Sequence, residues 1–546
     1  MSDPSSSFPI HLGESAQFAC VRDFFRVADF NDTSLCRLLG MQDMSDLGRV
    51  AWDQLPFGNA QGQATEPKRS STGGLDLLPV AEPAAHAGVA AAAAASSTSA
   101  AAKPCSPGLQ WCIEVFIRGL KVEAESSRRV CGDEVFSALL ALGLLRRSVK
   151  NQATVFCPVW VYPADGFVMV SDRRDDPETD AYTPPADVVF PAIYGGTLRF
   201  LRLLPPIPGG EALDLCGGSG IGALRLARTG RSAATADLTE RSAFFAEFNA
   251  RLNDLPVTSL CGDLYVPAAG KQFDLISAHP PFVPDTGAKM IYRDGGDTGE
   301  EVTRRIIEGL PASLRPGGLC VILCVARDTN DETFELRARQ WLGVAAEYFD
   351  IVFGLEKILS VDEVVESMRR RSQVMSAAEA AQLRARLRAL GTRQFAYGAL
   401  FIQRFAEPVN DRPLRIRITP KAGAAEFQRL LAWRQHRRKP GFAQWLAGSR
   451  PRLAPELELT VRHLVQEGSL VPAEFVFSIS NGVESALRPD AWIVPLLARL
   501  EGAQSVADVF AQARDELPAG FALDDFAGLV QGMIERGLLL SEPLAH

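Results

Sequence analysis

Short runs of apolar residues alternate with longer amphipathic segments through the middle of the chain, from about residue 181 to 410. Apolar runs of about 4–8 residues are typical of buried parallel strands, whereas apolar positions at intervals of three and four are typical of helices. The alternation predicts an α/β fold in which a seven-stranded sheet has helices on both faces and a last, antiparallel strand. The predicted strands are 211–215, 232–236, 257–260, 273–278, 317–325, 350–357 and 397–405.

Two further regions flank this predicted domain. Residues 1–180 contain amphipathic helices followed by strands at 153–159 and 166–171, and we expect a winged-helix-like accessory domain there. A segment rich in Gly, Ala, Ser and Pro interrupts it at about 58–108 and is predicted to be a disordered insert. Residues 411–546 change to short strands and helices, which predicts a second winged-helix-like domain for docking or dimer contact.

A glycine-rich turn follows the first predicted strand of the central domain. It runs from Asp214 through Cys216, Gly218 and Gly220 to Gly222, where a helix begins. Glycine lets the backbone turn tightly and approach a ligand, and a helix N-terminus adds free N–H groups and a positive dipole end. The loop is therefore a candidate cofactor site, although by itself it fits a nicotinamide dinucleotide nearly as well.

Acidic residues end the next two predicted strands. Asp237, with Leu238 after it, lies about 20 residues beyond the glycines, the spacing at which a carboxylate reaches ribose hydroxyls. Asp263, with Leu264 after it, ends the following strand, where a carboxylate can receive the exocyclic amine of an adenine. Together with the glycine loop, these residues predict a cofactor that contains a nucleoside.

A double-proline turn follows the predicted strand 273–278. Prolines stop the strand and stiffen the turn, and open α/β sheets bind their ligands at the carboxyl ends of parallel strands. An aromatic ring at this place can stack on a planar group. We therefore expect the turn to hold a flat acceptor for chemistry, and its residues are His279, Pro280, Pro281 and Phe282.

In this order, the loop, the two acids and the turn resemble the class I S-adenosylmethionine-dependent methyltransferases. The similarity covers about residues 188–405 and is strongest to the group of protein glutamine methyltransferases and related N-methyltransferases. It implies a Rossmann-like sheet, S-adenosylmethionine as cofactor, and an Asn-Pro-Pro-Tyr turn matched here by residues 279–282. It also implies that residues 214–222 wrap the methionine part, Asp237 binds the ribose, and Asp263 with Leu264 binds the adenine.

Two residues depart from the pattern of that group. Cys216 stands where the first glycine of the loop is usual, and we read it as a tolerated small residue. His279 stands where Asn, Asp or Ser is usual, and a neutral imidazole does not reproduce the acceptor-plus-donor pattern of an amide. His279 is thus a candidate general base or orienting group. This departure and the flanking regions favour a planar nitrogen or oxygen of a small molecule in specialised metabolism as the acceptor.

Two other functions stay open at this point. One is a macromolecule methyltransferase that acts on a protein glutamine or on RNA or DNA, and the other is a cofactor-binding module without catalysis. The net charge of −8 gives no general attraction to nucleic acid. The chain start lacks the basic and apolar regions of a secretory signal, and no apolar stretch is long enough to span a membrane.

The number and spacing of the cysteines bear on two further expectations, the presence of a metal site and the cellular compartment. The ten cysteines include no C-x-x-C pair and do not cluster with the six histidines, so we expect no metal site. Reduced cysteines and the absence of a targeting signal predict a cytoplasmic protein. We also expect a small-molecule substrate in preference to protein or nucleic acid, no membrane contact, and a possible homodimer through the accessory domains.

Overall fold

The computed structural model describes residues 8–50, 52, 105–179, 182–284, 291, 293–371 and 375–541. Most of the predicted insert at 58–108 lies outside these residues, so its disorder stays a prediction. In the described part of the chain, no helix is both long and apolar enough to cross a lipid bilayer. The same residues contain no group of three or more His, Cys, Asp or Glu side chains placed to hold a metal ion.

Helices and short strands form the N-terminal region. The helices are α1 (Ser15–Val27), α2 (Asp32–Leu39), α3 (Pro107–Cys112), which continues as a π-helical turn, α4 (Ala124–Cys131) and α5 (Asp133–Ala141). The strands are β1 (Val122–Glu123), β2 (Arg146–Arg147), β3 (Thr154–Phe156), β4 (Trp160–Ala164) and β5 (Phe167–Ser171). Strand β3 lies between β1 and β2, and β4 pairs with β5. The strand predicted at 153–159 is present but shorter, since β3 ends at Phe156 and β4 begins after the predicted range. The winged-helix assignment stays a prediction.

Strands and helices alternate through the central region. The helices are α6 (Gly195–Leu203), α7 (Ile221–Ala227), α8 (Glu240–Asn253), α9 (Glu301–Ser313), α10 (Phe334–Trp341), α11 (Val361–Arg371) and α12 (Ala377–Ala389). The strands are β6 (Glu211–Leu215), β7 (Ser232–Asp237), β8 (Val257–Cys261), β9 (Phe273–Ala278), β10 (Leu314–Thr329), β11 (Phe349–Leu359) and β12 (Thr392–Arg404). All seven predicted strands are present, and β12 is antiparallel to both β10 and β11 as expected.

The C-terminal region extends this sheet. Its strands are β13 (Leu414–Ile418), β14 (Arg452–Leu453), β15 (Glu458–Gln466), β16 (Ser469–Asn481), β17 (Val483–Leu487) and β18 (Leu539–Leu540). Its helices are α13 (Ala424–Arg437), α14 (Phe442–Gly448), α15 (Val494–Ala498), α16 (Val506–Gln512) and α17 (Leu523–Glu535). Strand β13 pairs in parallel with β11, and β17, β16 and β15 follow it outward.

The sheet therefore has eleven strands within the described residues, where the sequence predicted seven. Its order is β15-β16-β17-β13-β11-β12-β10-β9-β6-β7-β8. The seven-strand count is not confirmed, because β13 pairs with the edge of β11 and three more C-terminal strands extend the sheet beyond β13. Nothing tests the domain boundaries or the second winged helix, and both stay predictions.

Buried ion pairs fasten the C-terminal region to the sheet. Asp350, on β11, is fully buried and receives Arg434 of α13 at 2.8 Å. Arg438 pairs with the same carboxylate and also with Asp411. A buried charge without its partner is costly, so these pairs fix where α13 lies on the sheet.

Candidate active site

The glycine loop takes its shape from three left-handed residues at alternate positions. Gly218 and Gly220 have φ of 53° and 83°, which glycine adopts without steric cost. Cys216 has φ of 56°, a conformation that costs a residue with a side chain about 1–2 kcal/mol. The left-handed backbone therefore explains why glycine is usual at position 216. Cysteine is small, but its side chain still costs free energy in this conformation.

Asp214 is an internal support of this loop. Its side chain is 2% exposed, and it accepts hydrogen bonds from Ser277 Oγ at 2.6 Å and from the backbone N–H of Ala223. A Cβ at Gly222 would overlap its carboxyl group. Burial raises the pKa of Asp214 to about 7. Asp214 thus joins β6, β9 and the start of α7, and the absence of a side chain at Gly222 allows it.

Asp237 ends β7 and contacts the loop from the other side. Its Oδ2 accepts the backbone N–H of Gly218 at 2.9 Å. Burial raises the pKa of Asp237, although the side chain stays partly accessible. Leu238, directly after it, is an apolar side chain left 56% exposed. The carboxylate of Asp237 can accept hydrogen bonds from a ribose, and the exposed side chain of Leu238 can contact the base attached to that ribose.

Asp263 and Leu264 follow β8, and their side chains lie in different surroundings. Leu264 is buried, with φ of 49°, whereas the carboxylate of Asp263 forms an ion pair with Arg305 of α9 at 2.5 Å. No local pattern indicates this partner, because Arg305 lies 42 residues further along the chain. Arg305 compensates the charge of Asp263, and the carboxylate can still accept a further hydrogen bond.

The double-proline turn and the glycine loop leave adjacent strands at one edge of the sheet. Asp214 of β6 lies opposite Ser277 of β9, and Leu215 opposite Ala278, so the loop and the turn begin at the same level. Pro280 is buried, and Pro281 and Phe282 are partly exposed. The structure therefore brings the two predicted halves of the site together.

His279 lies near two aromatic rings, and one of them is stacked on it. Its ring centre lies 5.6 Å from that of Phe200, at an interplanar angle of 26°, and 6.1 Å from that of Phe282. Burial lowers the pKa of His279 to about 4. The imidazole is thus neutral at physiological pH and a weak proton acceptor, which favours an orienting role and disfavours the general base.

Phe200 is a site residue that the sequence analysis missed. It lies on α6, ahead of the glycine loop, and only the fold brings it to His279. Gly196 on the same helix supports this approach, because a Cβ there would lie 3.5 Å from the imidazole. One apolar helical position among many gives no signal of a contact with a turn that far along the chain.

The residues fit the cofactor that the resemblance implies. A Cβ built at Gly218 meets nothing within 4 Å, so the loop backbone is open on the side where a ligand would approach. Asp237 and Leu238 offer an acceptor and an apolar contact next to that space, and the turn closes it from β9.

Comparisons with known proteins agree with this reading. Residues 192–338 match the family model described as "Methyltransferase small domain". This match confirms that the central part of the chain resembles the methyltransferases, as expected from its loop, acids and turn.

Three curated relatives are named for glutamine methylation. The ribosomal protein uL3 glutamine methyltransferase of Bradyrhizobium diazoefficiens is 35% identical over 24% of this chain and 46% of that protein. The enzyme of the same name from Xanthomonas campestris is 28% identical over 23% and 44%. The release factor glutamine methyltransferase of Moorella thermoacetica is 32% identical over 22% and 48%. The chain thus spans about half the length of each.

These relatives contradict the preference for a small-molecule substrate. Their names specify glutamines of proteins. The preference rested on the departure at His279 and on the flanking regions, and neither of them specifies the acceptor.

Proposed function

We propose that the protein transfers the methyl group of S-adenosylmethionine to a planar side-chain nitrogen of a protein substrate. The observation that carries this proposal is the pairing of β6 with β9, which starts the glycine loop and the double-proline turn side by side. A methyl donor held by the loop would face an acceptor held by the turn.

The residues of the chain mainly bind and orient in this proposal. The cofactor would supply an already activated methyl group and leave as a neutral thioether, and the methylated nitrogen releases one N–H proton to solvent. The protein therefore has to hold the acceptor nitrogen at about 3 Å from the methyl carbon and exclude water from the bond that forms. Asp214 supports the loop, Asp237 offers its carboxylate to the ribose, and the Pro280 carbonyl accepts a hydrogen bond from the acceptor N–H. His279 directs the nitrogen lone pair, and Phe282 flanks the plane of the group.

The glutamine amide is the first candidate for the acceptor. The names of the curated relatives support it, and the amide is planar, as a site with two aromatic rings requires. A neutral imidazole accepts one hydrogen bond from an amide N–H, which together with the Pro280 carbonyl accounts for both hydrogens of the amide. The net charge of −8 disfavours RNA or DNA as the substrate.

A label-transfer assay tests the proposal. Purified protein and S-adenosylmethionine with a radioactive methyl group are incubated with cell extract, which is then separated into protein, nucleic-acid and small-molecule fractions. We expect label in the protein fraction, at a side-chain nitrogen identified by mass spectrometry. Label in another fraction contradicts the protein substrate, cofactor binding without label transfer indicates a binding module, and stable binding of a nicotinamide dinucleotide overturns the cofactor assignment.

A further inference from the structure

The double-proline turn is held in place by a second segment of the chain, the supporting loop (residues 293–301). Pro280 and Pro281 have no N–H to donate, so the turn has few hydrogen bonds of its own to fix its shape. The supporting loop supplies them at the end of the turn: Val283 donates to the carbonyl of Arg293 at 3.1 Å, and Gly295 donates to the carbonyl of Val283 at 2.9 Å.

The supporting loop also packs directly against the turn's carbonyl groups. A Cβ at Gly295 would lie 2.8 Å from the carbonyl oxygen of Pro281. A Cβ at Gly299, which has φ of 86°, would overlap the carbonyl oxygen of Phe282. Backbone therefore lies against backbone here, and a displacement of the supporting loop would displace the turn with it.

Glu300 fixes the supporting loop to the rest of the domain. Its side chain is 3% exposed and accepts the backbone N–H of Arg327 at 2.8 Å and Nε of the same residue at 2.6 Å. Arg337, on α10, donates two more hydrogen bonds, at 2.9 and 3.0 Å. Charge-assisted bonds of this kind are among the strongest in proteins, and both carboxylate oxygens are engaged.

The connection extends beyond β10. Arg327 also donates to Thr392 Oγ1 at 2.9 Å, at the start of β12. Arg337 donates to the carbonyl of Arg327 at 2.9 Å. One carboxylate thus joins the supporting loop to β10, β12 and α10, which are elements of the rigid core.

We propose that Glu300 is a positioning residue for methyl transfer, which holds the double-proline turn at its distance from the methyl donor through the supporting loop. The inference rests on the proposed function for its catalytic consequence. Glu300 contacts Arg327 and Arg337 and acts on the acceptor only through the turn. Because a shift of about 1 Å in a reacting group costs about 100-fold in rate, this support matters for turnover.

The variant Glu300→Gln tests the proposal because it keeps the shape of the side chain and removes its charge. We expect kcat to fall about 10-fold or more, with the Kd for S-adenosylmethionine unchanged by calorimetry. We also expect faster hydrogen exchange at the amides of Gly295 and Glu301, which are hydrogen-bonded in the supporting loop.

Asp350→Asn is the matched control. Asp350 is an equally buried acid paired with an arginine, but it fastens α13 to β11 and has no contact with the supporting loop. We expect this variant to lose stability while keeping its kcat and the exchange rates at Gly295 and Glu301. If Glu300→Gln is too unstable to purify, Arg337→Gln removes the two hydrogen bonds to Glu300 and the one to the carbonyl of Arg327, and it should change both readouts in the same direction.

Two results overturn the inference: a kcat for Glu300→Gln no lower than that of Asp350→Asn, or unchanged exchange at the two amides. If the native protein transfers no methyl group, the proposed function fails, and the exchange measurement still decides whether Glu300 holds the turn.

Discussion

The glycine loop at 214–222 and the double-proline turn at 279–282 meet at one edge of the sheet but are stabilised in opposite ways. Two carboxylates hold the loop, Asp214 at its start and Asp237 at the end of the next strand, and both accept backbone N–H groups of the loop region. The turn has few donors of its own and depends on residues 293–301. A glycine loop keeps its N–H donors and is thus held by acceptors on strands of the sheet, whereas a turn built from prolines is held by a separate loop.

The substitution with the largest expected effect disrupts the glycine loop itself. Gly222→Ala places a methyl group into the Asp214 carboxyl, so we expect a loss of about 3 kcal/mol in the free energy of unfolding and no measurable binding of S-adenosylmethionine. Thermal unfolding and calorimetry measure the two quantities. Gly218→Ala is the control, since its new Cβ meets no atom and only the φ of 53° opposes it, at about 1 kcal/mol. Equal losses in the free energy of unfolding of the two variants would contradict the role given to Asp214.

The next variant affects the turn alone. His279→Ala removes the orienting imidazole, and we expect kcat to fall about 10- to 100-fold while the Kd for the cofactor stays the same. Steady-state kinetics and calorimetry separate the two. Phe200→Leu serves as a comparison, because it removes the stacked ring but leaves the imidazole in place, and it should have a smaller effect. Full activity of His279→Ala would exclude the orienting role.

The loop and the turn also differ in how their stability depends on pH, because burial shifts the pKa values of Asp214 and His279 in opposite directions. Burial lowers the pKa of His279 from 6.5 to about 4, so its contribution is fully present above about pH 6.5 and is lost as the pH falls toward about 4. Burial raises the pKa of Asp214 from 3.8 to about 7, so the folded state loses stability at this residue as the pH rises from about 4 to 7.

Denaturant unfolding across this pH range tests both signs. His279→Phe should flatten the decline at low pH by about 3 kcal/mol, and Asp214→Asn should flatten the decline toward neutral pH by about 4 kcal/mol. Slopes that match those of the native protein in either variant would mean that the group in question does not titrate as its burial requires.

The smallest effect would improve the loop. Cys216→Gly removes the cost of a left-handed residue with a side chain, so we expect a gain of about 1 kcal/mol in the free energy of unfolding. The melting temperature measures this gain, and cofactor affinity should be kept or rise. A lower melting temperature would show that contacts of the thiol outweigh its backbone strain.

The sequence predicted those features that depend on local pattern. The bounds of β9 agree with the predicted strand, and the loop, Asp237 and His279 follow their strands as expected. Each of these features is read from a few consecutive residues, because an apolar run with a glycine or proline after it defines a strand and its end.

The remainder depends on contacts between distant residues. Phe200 on His279, Arg305 on Asp263 and Arg327 on Glu300 are ordinary residues in the sequence, and nothing local marks them as partners. The same holds for β13, because an amphipathic strand does not indicate which sheet edge it will join. The substrate preference was wrong because the departure at His279 and the flanking regions do not specify the acceptor, whereas the relatives are named for glutamines of proteins.

The extension of the sheet by β13 means that the C-terminal region cannot be exchanged or removed as a module. A truncation after residue 410 would leave β11 as a bare edge with unpaired backbone groups, ready to pair with another chain. It would also leave the carboxylate of Asp350 buried without its ion-pair partners Arg434 and Arg438. For protein engineering, the smallest useful expression unit therefore has to include the C-terminal strands, even though the recognisable methyltransferase pattern ends well before them.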